Sequence, residues 1–256
     1  MRRVLLACDL DNTLLHSHRS RREQDICVEW FEGREQSFLS PDACRLLRRA
    51  SRELRVIPVT TRSIEQYRRI RWPEECAPDC AVTTNGAILL RNGAVDADWA
   101  AASLKTAEPC RGELEGLRGV LDASCGCCRL VDGMYLFVPC GDEEQAQRRA
   151  AAYREQTSLV TAVSGRKLYF FPPGMDKGAA VRRLREEGQP VVCAGDSVID
   201  LPMLNASDLA LVPDAGMAGR VSGPQIVVCP PGEDFARFLL ETALRYPIET
   251  PGARPF

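Results

Sequence analysis

Short apolar runs that end abruptly in polar residues recur along this chain. Val4–Cys8 ends in Asp9-Leu10-Asp11-Asn12-Thr13, and Arg55–Val59 ends in Thr60-Thr61-Arg62-Ser63. Ala81–Thr84 runs into Asn85-Gly86-Ala87, and Pro190–Ala194 runs into Gly195-Asp196-Ser197. Runs of this length without alternation predict strands buried on both faces, as in a parallel sheet. Helical spacing lies between them. Ser40-Pro41-Asp42-Ala43 combines an N-cap, a proline at the first helical position and an acid in the first turn, and Leu46, Leu47, Ala50 and Leu54 follow at helical intervals. Another helix is predicted over Ile64–Ile70. Strand, helix and strand in turn, with short connections, predict a doubly wound (Rossmann-like), mostly parallel α/β sheet.

From Ile88 to Phe171 the texture changes. Ile88–Val95 reads as a hairpin around Asn92-Gly93. Helices are predicted over Gly112–Leu121 and Glu143–Gln156, with strands at Tyr135–Pro139, Leu159–Val163 and Lys167–Phe171. The α/β pattern resumes with a helix over Ala179–Glu186, strands at Pro190–Ala194, Leu209–Val212 and Gln225–Cys229, and an amphipathic helix over Phe235–Arg245. The predicted organisation is a core over 1–87 and 172–256, with a smaller α+β unit inserted over 88–171. Residues His16–Gln24 read as a basic loop at the carboxyl edge of the sheet, followed by a small hairpin of Ile26–Phe31 and Ser37–Leu39. The tail after Pro247 is Pro-rich and expected to be loose.

At 256 residues the chain can bury a large core. Its net charge of −2, with both signs interspersed, argues against a nucleic-acid or membrane-surface binder. The run after Arg2-Arg3 is too short for a secretory signal, and no stretch approaches the roughly 20 apolar residues of a membrane span. The expectation is a soluble, cytoplasmic protein; nothing in the pattern reads on oligomeric state. Of the 12 cysteines, Cys8, Cys193 and Cys229 sit in apolar runs and read as small buried hydrophobes. Cys125-Gly126-Cys127-Cys128 and the Cys76, Cys80 pair lack a well-placed second knuckle for zinc, and reduced thiols are the better account.

Carboxylates at the end of a buried strand are costly unless a cation or donors satisfy them. Asp9 and Asp11 therefore stand where ligand chemistry is expected. The Asp9-Leu10-Asp11-Asn12-Thr13 segment resembles the first motif of the haloacid dehalogenase (HAD) superfamily of phosphohydrolases. Three more segments resemble the later motifs in order: Thr60 with Thr61-Arg62, then Lys177 in Asp176-Lys177-Gly178, then Gly195-Asp196-Ser197 with Asp200. Each alone could be a helix cap or a solvated residue; their joint order beside strand ends defeats that reading. The resemblance implies a Mg²⁺-dependent phosphomonoesterase. Asp9 would be nucleophile and metal ligand, and Asp11 acid–base, with its carbonyl on the metal. Asp196 and Asp200 would complete the metal site. Thr60 and Lys177 would hold the phosphoryl group, aided by Thr61. A carboxylate attacking an anionic phosphoester needs a cation between them, which hard Mg²⁺ with oxygen ligands supplies.

Two positions depart from the motifs. Ile199 stands where an Asn is usual before the last acid, and Thr61 replaces the usual Gly. The insertion between the second and third motifs resembles a C2-type cap, as in the Cof-like, sucrose-phosphate phosphatase and mannosyl-3-phosphoglycerate phosphatase-like groups, and Thr84-Asn85-Gly86-Ala87 resembles the segment preceding such caps. A cap implies a small phosphorylated metabolite, with a sugar phosphate expected and Arg62 and Asn85 in reach of it. Arg129 and Arg166 are cap candidates for substrate contact, though solvated surface charge is the better account of each. A phosphomutase, or a catalytically weak phosphometabolite-binding protein, are the competing expectations.

Overall fold

The computed structural model describes residues 3–125 and 127–246; Met1, Arg2, Gly126 and the tail from 247 lie outside them, as do the side chains of Ala123, Ser124 and Cys125. In chain order the first part comprises β1 (Leu5–Cys8), β2 (His16–Ser17), β3 (Ile26–Phe31), β4 (Arg34–Leu39), α1 (Pro41–Glu53), β5 (Arg55–Pro58), α2 (Ile64–Arg68) and β6 (Cys80–Thr83). Then come β7 (Ile88–Arg91), β8 (Ala94–Val95), α3 (Ala97–Ala107), α4 (Arg111–Cys125), β9 (Arg129–Val131), β10 (Tyr135–Pro139), α5 (Glu143–Arg154), β11 (Val160–Ser164) and β12 (Lys167–Phe171). The last part holds α6 (Lys177–Leu184), β13 (Val191–Ala194), α7 (Leu201–Leu204), β14 (Leu209–Val212), α8 (Ala215–Ala218), β15 (Gln225–Val228) and α9 (Phe235–Arg245).

The central sheet has the order β15-β14-β13-β1-β5, and every pair in it is parallel. Its middle strands are buried throughout, which is why they read as unbroken apolar runs. A parallel bridge between Val59 and Val82 carries the sheet on into β6, and β7 and β8 follow antiparallel. The hairpin over 88–95 thus extends the core sheet. Its Leu89, with Trp99 of α3, packs in one apolar cluster with Ala7, Ile57 and Val59. Asn92 and Gly93 both have positive φ, as a primed hairpin turn requires.

A second, antiparallel sheet has the order β11-β12-β10-β9. One face, with Leu136, Val138, Leu168 and Phe170, buries against Leu114 and Leu121 of α4 and Ala150 of α5. The opposite face carries Tyr135, Tyr169 and Phe171, which join the core cluster containing Leu10 and Ile199. Ile199 is buried, and its 3₁₀ turn packs on β11. The side chain at the departure from the motif is thus part of the apolar seat between the two sheets. Among the described residues no helix is long and apolar enough to cross a membrane.

The local signals for α1 hold: the Ser40 hydroxyl accepts from the Ala43 N–H, with Pro41 at the first position. Cys8, Cys193 and Cys229 are buried, as their runs imply. Helix α3 was not predicted. Its start is nonetheless marked, since the Asp96 side chain accepts from the Trp99 N–H. Helix α6 begins two residues earlier than expected, with Asp176 as N-cap and Lys177 as its first residue, so Lys177 faces inward and is buried.

Helix α6 also approaches α7 closely. A Cβ at Gly178 would stand 2.1 Å from the Pro202 carbonyl oxygen, a backbone atom that cannot swing aside. Gly178→Ala is therefore expected to destabilise the protein by about 1–3 kcal/mol, read as a lower urea midpoint with an unchanged slope. Wild-type stability in that variant would contradict the close approach.

Candidate active site

Strand register brings the site together. Cys8 is opposite Ala194 on one side and Pro58 on the other. The Asp9 N–H donates to the Ala194 carbonyl at 2.9 Å, and the Val59 N–H donates to the Cys8 carbonyl at 2.8 Å. The residues just past the carboxyl ends of β1, β5 and β13 are therefore neighbours: Asp9, Thr60 and Asp196. This is where ligands bind in open α/β sheets.

Lys177 reaches into that row from the start of α6. Its Nζ donates to Asp9 Oδ1 at 2.5 Å and to Asp200 Oδ1 at 2.6 Å, and all three side chains are at least nine-tenths buried. The other Asp200 oxygen accepts from the Asp196 N–H at 3.2 Å, and from the Ser197 N–H and hydroxyl at 2.9 Å each. Asp200 thus ties the lysine to the Gly195–Ser197 loop. Gly195 is needed for this, because a Cβ there would lie 2.4 Å from the Asp200 Cβ. Thr13 donates to Asp196 Oδ1 at 3.4 Å. Among the described residues, Asp9, Asp196 and Asp200 form the one group of three potential ligands whose oxygens all lie within 4.8 Å of one another.

Asp11 is held differently. Arg62 Nε and Nη2 donate to its two oxygens at 3.0 and 2.7 Å, a bidentate pair. Arg62 is itself fixed by Glu29 at 2.8 Å and by the Ser37 hydroxyl at 3.0 Å, both from the β3–β4 hairpin. The Glu29 side chain is buried and also pairs with Arg69 at 3.2 Å. Sequence reasoning places Arg62 toward substrate; here its guanidinium is turned to protein acceptors. Glu29 and Ser37 were missed. The one available signal is an acid at an otherwise apolar inward position of a strand.

Three carboxylates around a single ammonium leave the buried group short of positive charge. Burial, then the neighbouring Asp200 and Asp196, push Asp9 up to about 8, against the pull of Lys177. Burial and Asp200 likewise push Asp196 up to about 6. Burial opposes the charge on Lys177 too, but Asp200 and Asp9 outweigh it and hold the ammonium above its ordinary range. The two shifts across the Asp9–Lys177 contact oppose each other. The 2.5 Å contact favours a charged lysine, so the extra proton belongs to the Asp9–Asp196 pair as a unit. Asp11 goes the other way: burial would raise it, but Arg62 overrides burial and holds it below the usual carboxylate range.

The other expected residues lie close by. Thr60 is fully buried, and its hydroxyl accepts from the Arg62 N–H at 3.1 Å. The Thr61 carbonyl accepts from the Tyr135 hydroxyl at 2.5 Å. Asn85, in a left-handed conformation, donates to the Met175 carbonyl at 3.2 Å, while its buried Oδ1 has no partner among the described residues. A cavity of about 800 Å³ opens beside Asp11, Asn12 and Thr61 and runs between the core and the face of the second sheet that bears Tyr135, Phe137 and Tyr169. Arg129 and Arg166 line it, whereas Asp9 and Lys177 do not.

No protein-family model matches the chain, and no curated protein matches it. Solved structures do. A sucrose-phosphatase from Synechocystis sp., determined with sucrose and phosphate, is 15% identical with a TM-score of 0.65, covering 95% of this chain and 98% of that one. A trehalose-6-phosphate phosphatase related protein is 19% identical with a TM-score of 0.58, covering 93% and 96%. A haloacid dehalogenase-like hydrolase from B. subtilis is 16% identical with a TM-score of 0.58, covering 92% and 98%. Core sheet, inserted sheet and nearly full-length superposition together give this chain the fold of the haloacid dehalogenase-like hydrolases.

Proposed function

We propose that the chain is a Mg²⁺-dependent phosphohydrolase of the haloacid dehalogenase superfamily that cleaves a phosphomonoester of a small metabolite, a sugar phosphate. The observation that carries the reading is the meeting of Asp9, Lys177, Asp196 and Asp200, from distant parts of the chain, at adjacent strand ends. The solved structures named for sucrose and trehalose phosphates support the sugar. We take residues 108–171 as the cap, since the hairpin over 88–95 and α3 pack with the core sheet.

The donor set fits a hard divalent cation: oxygens only, crowded, and short of positive charge. Asp9 and Asp196 would hold it, with the Asp11 carbonyl. Both Asp200 oxygens already accept hydrogen bonds, so Asp200 supports the site from behind. Bound Mg²⁺ supplies the neutralisation that lets an anionic nucleophile meet an anionic phosphoryl group.

In the first step an Asp9 oxygen attacks phosphorus, the ester P–O bond breaks, and the leaving oxygen takes a proton from Asp11. In the second, water attacks the aspartyl-phosphate, Asp11 takes its proton, and the Asp9–P bond breaks. The Lys177 ammonium and Thr60 hydroxyl hold phosphoryl oxygens. Arg62 is the holder of Asp11 and favours its ionised form, so before the first step Asp11 gives up one of its two bonds and takes up a proton from solvent.

Asp9→Asn is expected to lower Mg²⁺-dependent hydrolysis of p-nitrophenyl phosphate by more than about 10³-fold. Removing one of three crowded carboxylates should leave its metal-free melting temperature at pH 8 at or above wild type. Turnover equal to wild type would end the enzyme reading. The pH dependence has a defined sign. Asp9 binds its proton more tightly folded than unfolded, so the stability it contributes is full below about pH 4 and is lost as pH rises through about 8. Protons and Mg²⁺ compete for the same oxygens. The rise in melting temperature on adding Mg²⁺ should therefore grow from pH 5.5 to 8.5, and a rise that shrinks with pH would contradict the assigned ligands.

A further inference from the structure

The cap sheet turns an ordered face toward the cavity. Register places Arg129 of β9, Phe137 of β10 and Tyr169 of β12 in one cross-strand row. The next row on the same face holds Pro139 and Lys167, with Ser164 beyond it, and the row on the other side holds Val131, Tyr135 and Phe171. One end of this face is therefore aromatic and buried, and the other is basic and exposed. Arg166, at the tip of the β11–β12 hairpin, adds a third cation to the basic end and lines the same cavity.

Arg19 also lines this cavity, and the three cap-sheet cations differ from Arg62 and Arg69 on its wall. Arg62 is taken by Asp11 and Glu29, and Arg69 by Glu29. Asp132 is taken by the Thr84 hydroxyl and the Ile64 N–H, and Glu65 is the remaining lining acid. Arg129, Arg166 and Lys167 form no ion pair with any described residue; Arg129 instead lies over the Phe137 ring at 6.0 Å. The Lys167 charge is felt at the Asp11 carboxylate and helps hold it low. All three are exposed side chains of the inserted unit, and a neutral leaving group would offer them no anionic partner.

We propose that the substrate is a phosphomonoester whose leaving group carries a second anionic group, a carboxylate or another phosphate, and that Arg129, Arg166 and Lys167 bind it while Phe137 and Tyr169 flank the link between. This deepens the phosphohydrolase reading and rests on it. Charge-assisted contacts from exposed side chains that become covered by ligand discriminate by about tenfold or more.

The Mg²⁺-loaded protein is tested on matched pairs: 3-phosphoglycerate against glycerol 3-phosphate for the carboxylate, and fructose 1,6-bisphosphate against fructose 6-phosphate for the second phosphate. The doubly anionic member of at least one pair should have a kcat/KM at least about tenfold higher, which identifies the source. In the variant carrying Arg129→Gln, Arg166→Gln and Lys167→Gln that ratio should fall to near one, mostly through KM, and Arg129→Lys alone should retain most of it. Ratios near one in the wild type, or a ratio unchanged in the triple variant, would overturn the proposal. If p-nitrophenyl phosphate is not turned over, the phosphohydrolase reading fails by itself. The same four compounds titrated by calorimetry into wild type and triple variant then decide the anion site, with tighter doubly anionic binding lost in the variant as the supporting result and equal binding as the refuting one.

Discussion

One buried ammonium governs this molecule. Lys177 sits at the first turn of α6 with Asp9 on one side and Asp200 on the other. Removing this lone cation would strand two buried carboxylates, a loss that typically costs about 3–5 kcal/mol, whereas losing Asp9 leaves Lys177 paired with Asp200. The lysine therefore fixes the carboxyl end of β1 against the Gly195–Ser197 loop, and with it the start of α6 against α7. A single cation cannot satisfy Asp9, Asp196 and Asp200 together. The deficit of positive charge that remains is what the proposed divalent ion would offset.

The second sheet completes the arrangement by closing a cavity against the core. Its two faces divide the work. The face against α4 and α5 is aliphatic and holds the unit together. The other face is aromatic near the core and continues the main apolar cluster through Leu10 and Ile199. Ile199 acquires a role in this light. An amide at that position would leave polar atoms against β11, whereas isoleucine gives the inserted sheet an apolar seat. The open part of that face presents basic side chains, which under the proposed function would set substrate selectivity.

Asp11 and Asp9 show how residues two apart in the chain take opposite electrostatic states. Asp9 points into the carboxylate cluster and is driven toward protonation. Asp11 points into the grip of Arg62 and is kept charged. The β3–β4 hairpin sets this division from a distance, because Glu29 and Ser37 orient the guanidinium that orients Asp11.

Much of this could be read before any coordinates. Unbroken apolar runs marked the buried parallel strands, Ser40-Pro41-Asp42 marked a helix start, and Asn92-Gly93 marked a hairpin, because each depends on local sterics or on burial of a contiguous segment. The four motif segments were legible only jointly: each alone reads as a helix cap or a solvated residue, and it is their order along the chain that marks them. Contacts between segments remote in the chain were not legible. Helix α3 was passed over although Asp96 caps it, since an alanine-rich stretch carries little periodicity. The extension of the core sheet by β7 and β8 depends on the Val59–Val82 bridge, a pairing no local pattern encodes. The turning of Arg62 onto protein acceptors depends on Glu29, thirty-three residues earlier in the chain. Residue types and their order determined which chemistry was present; three-dimensional pairing determined which charged group faces which, because electrostatic energy depends on distances and burial that arise only after distant strands have packed.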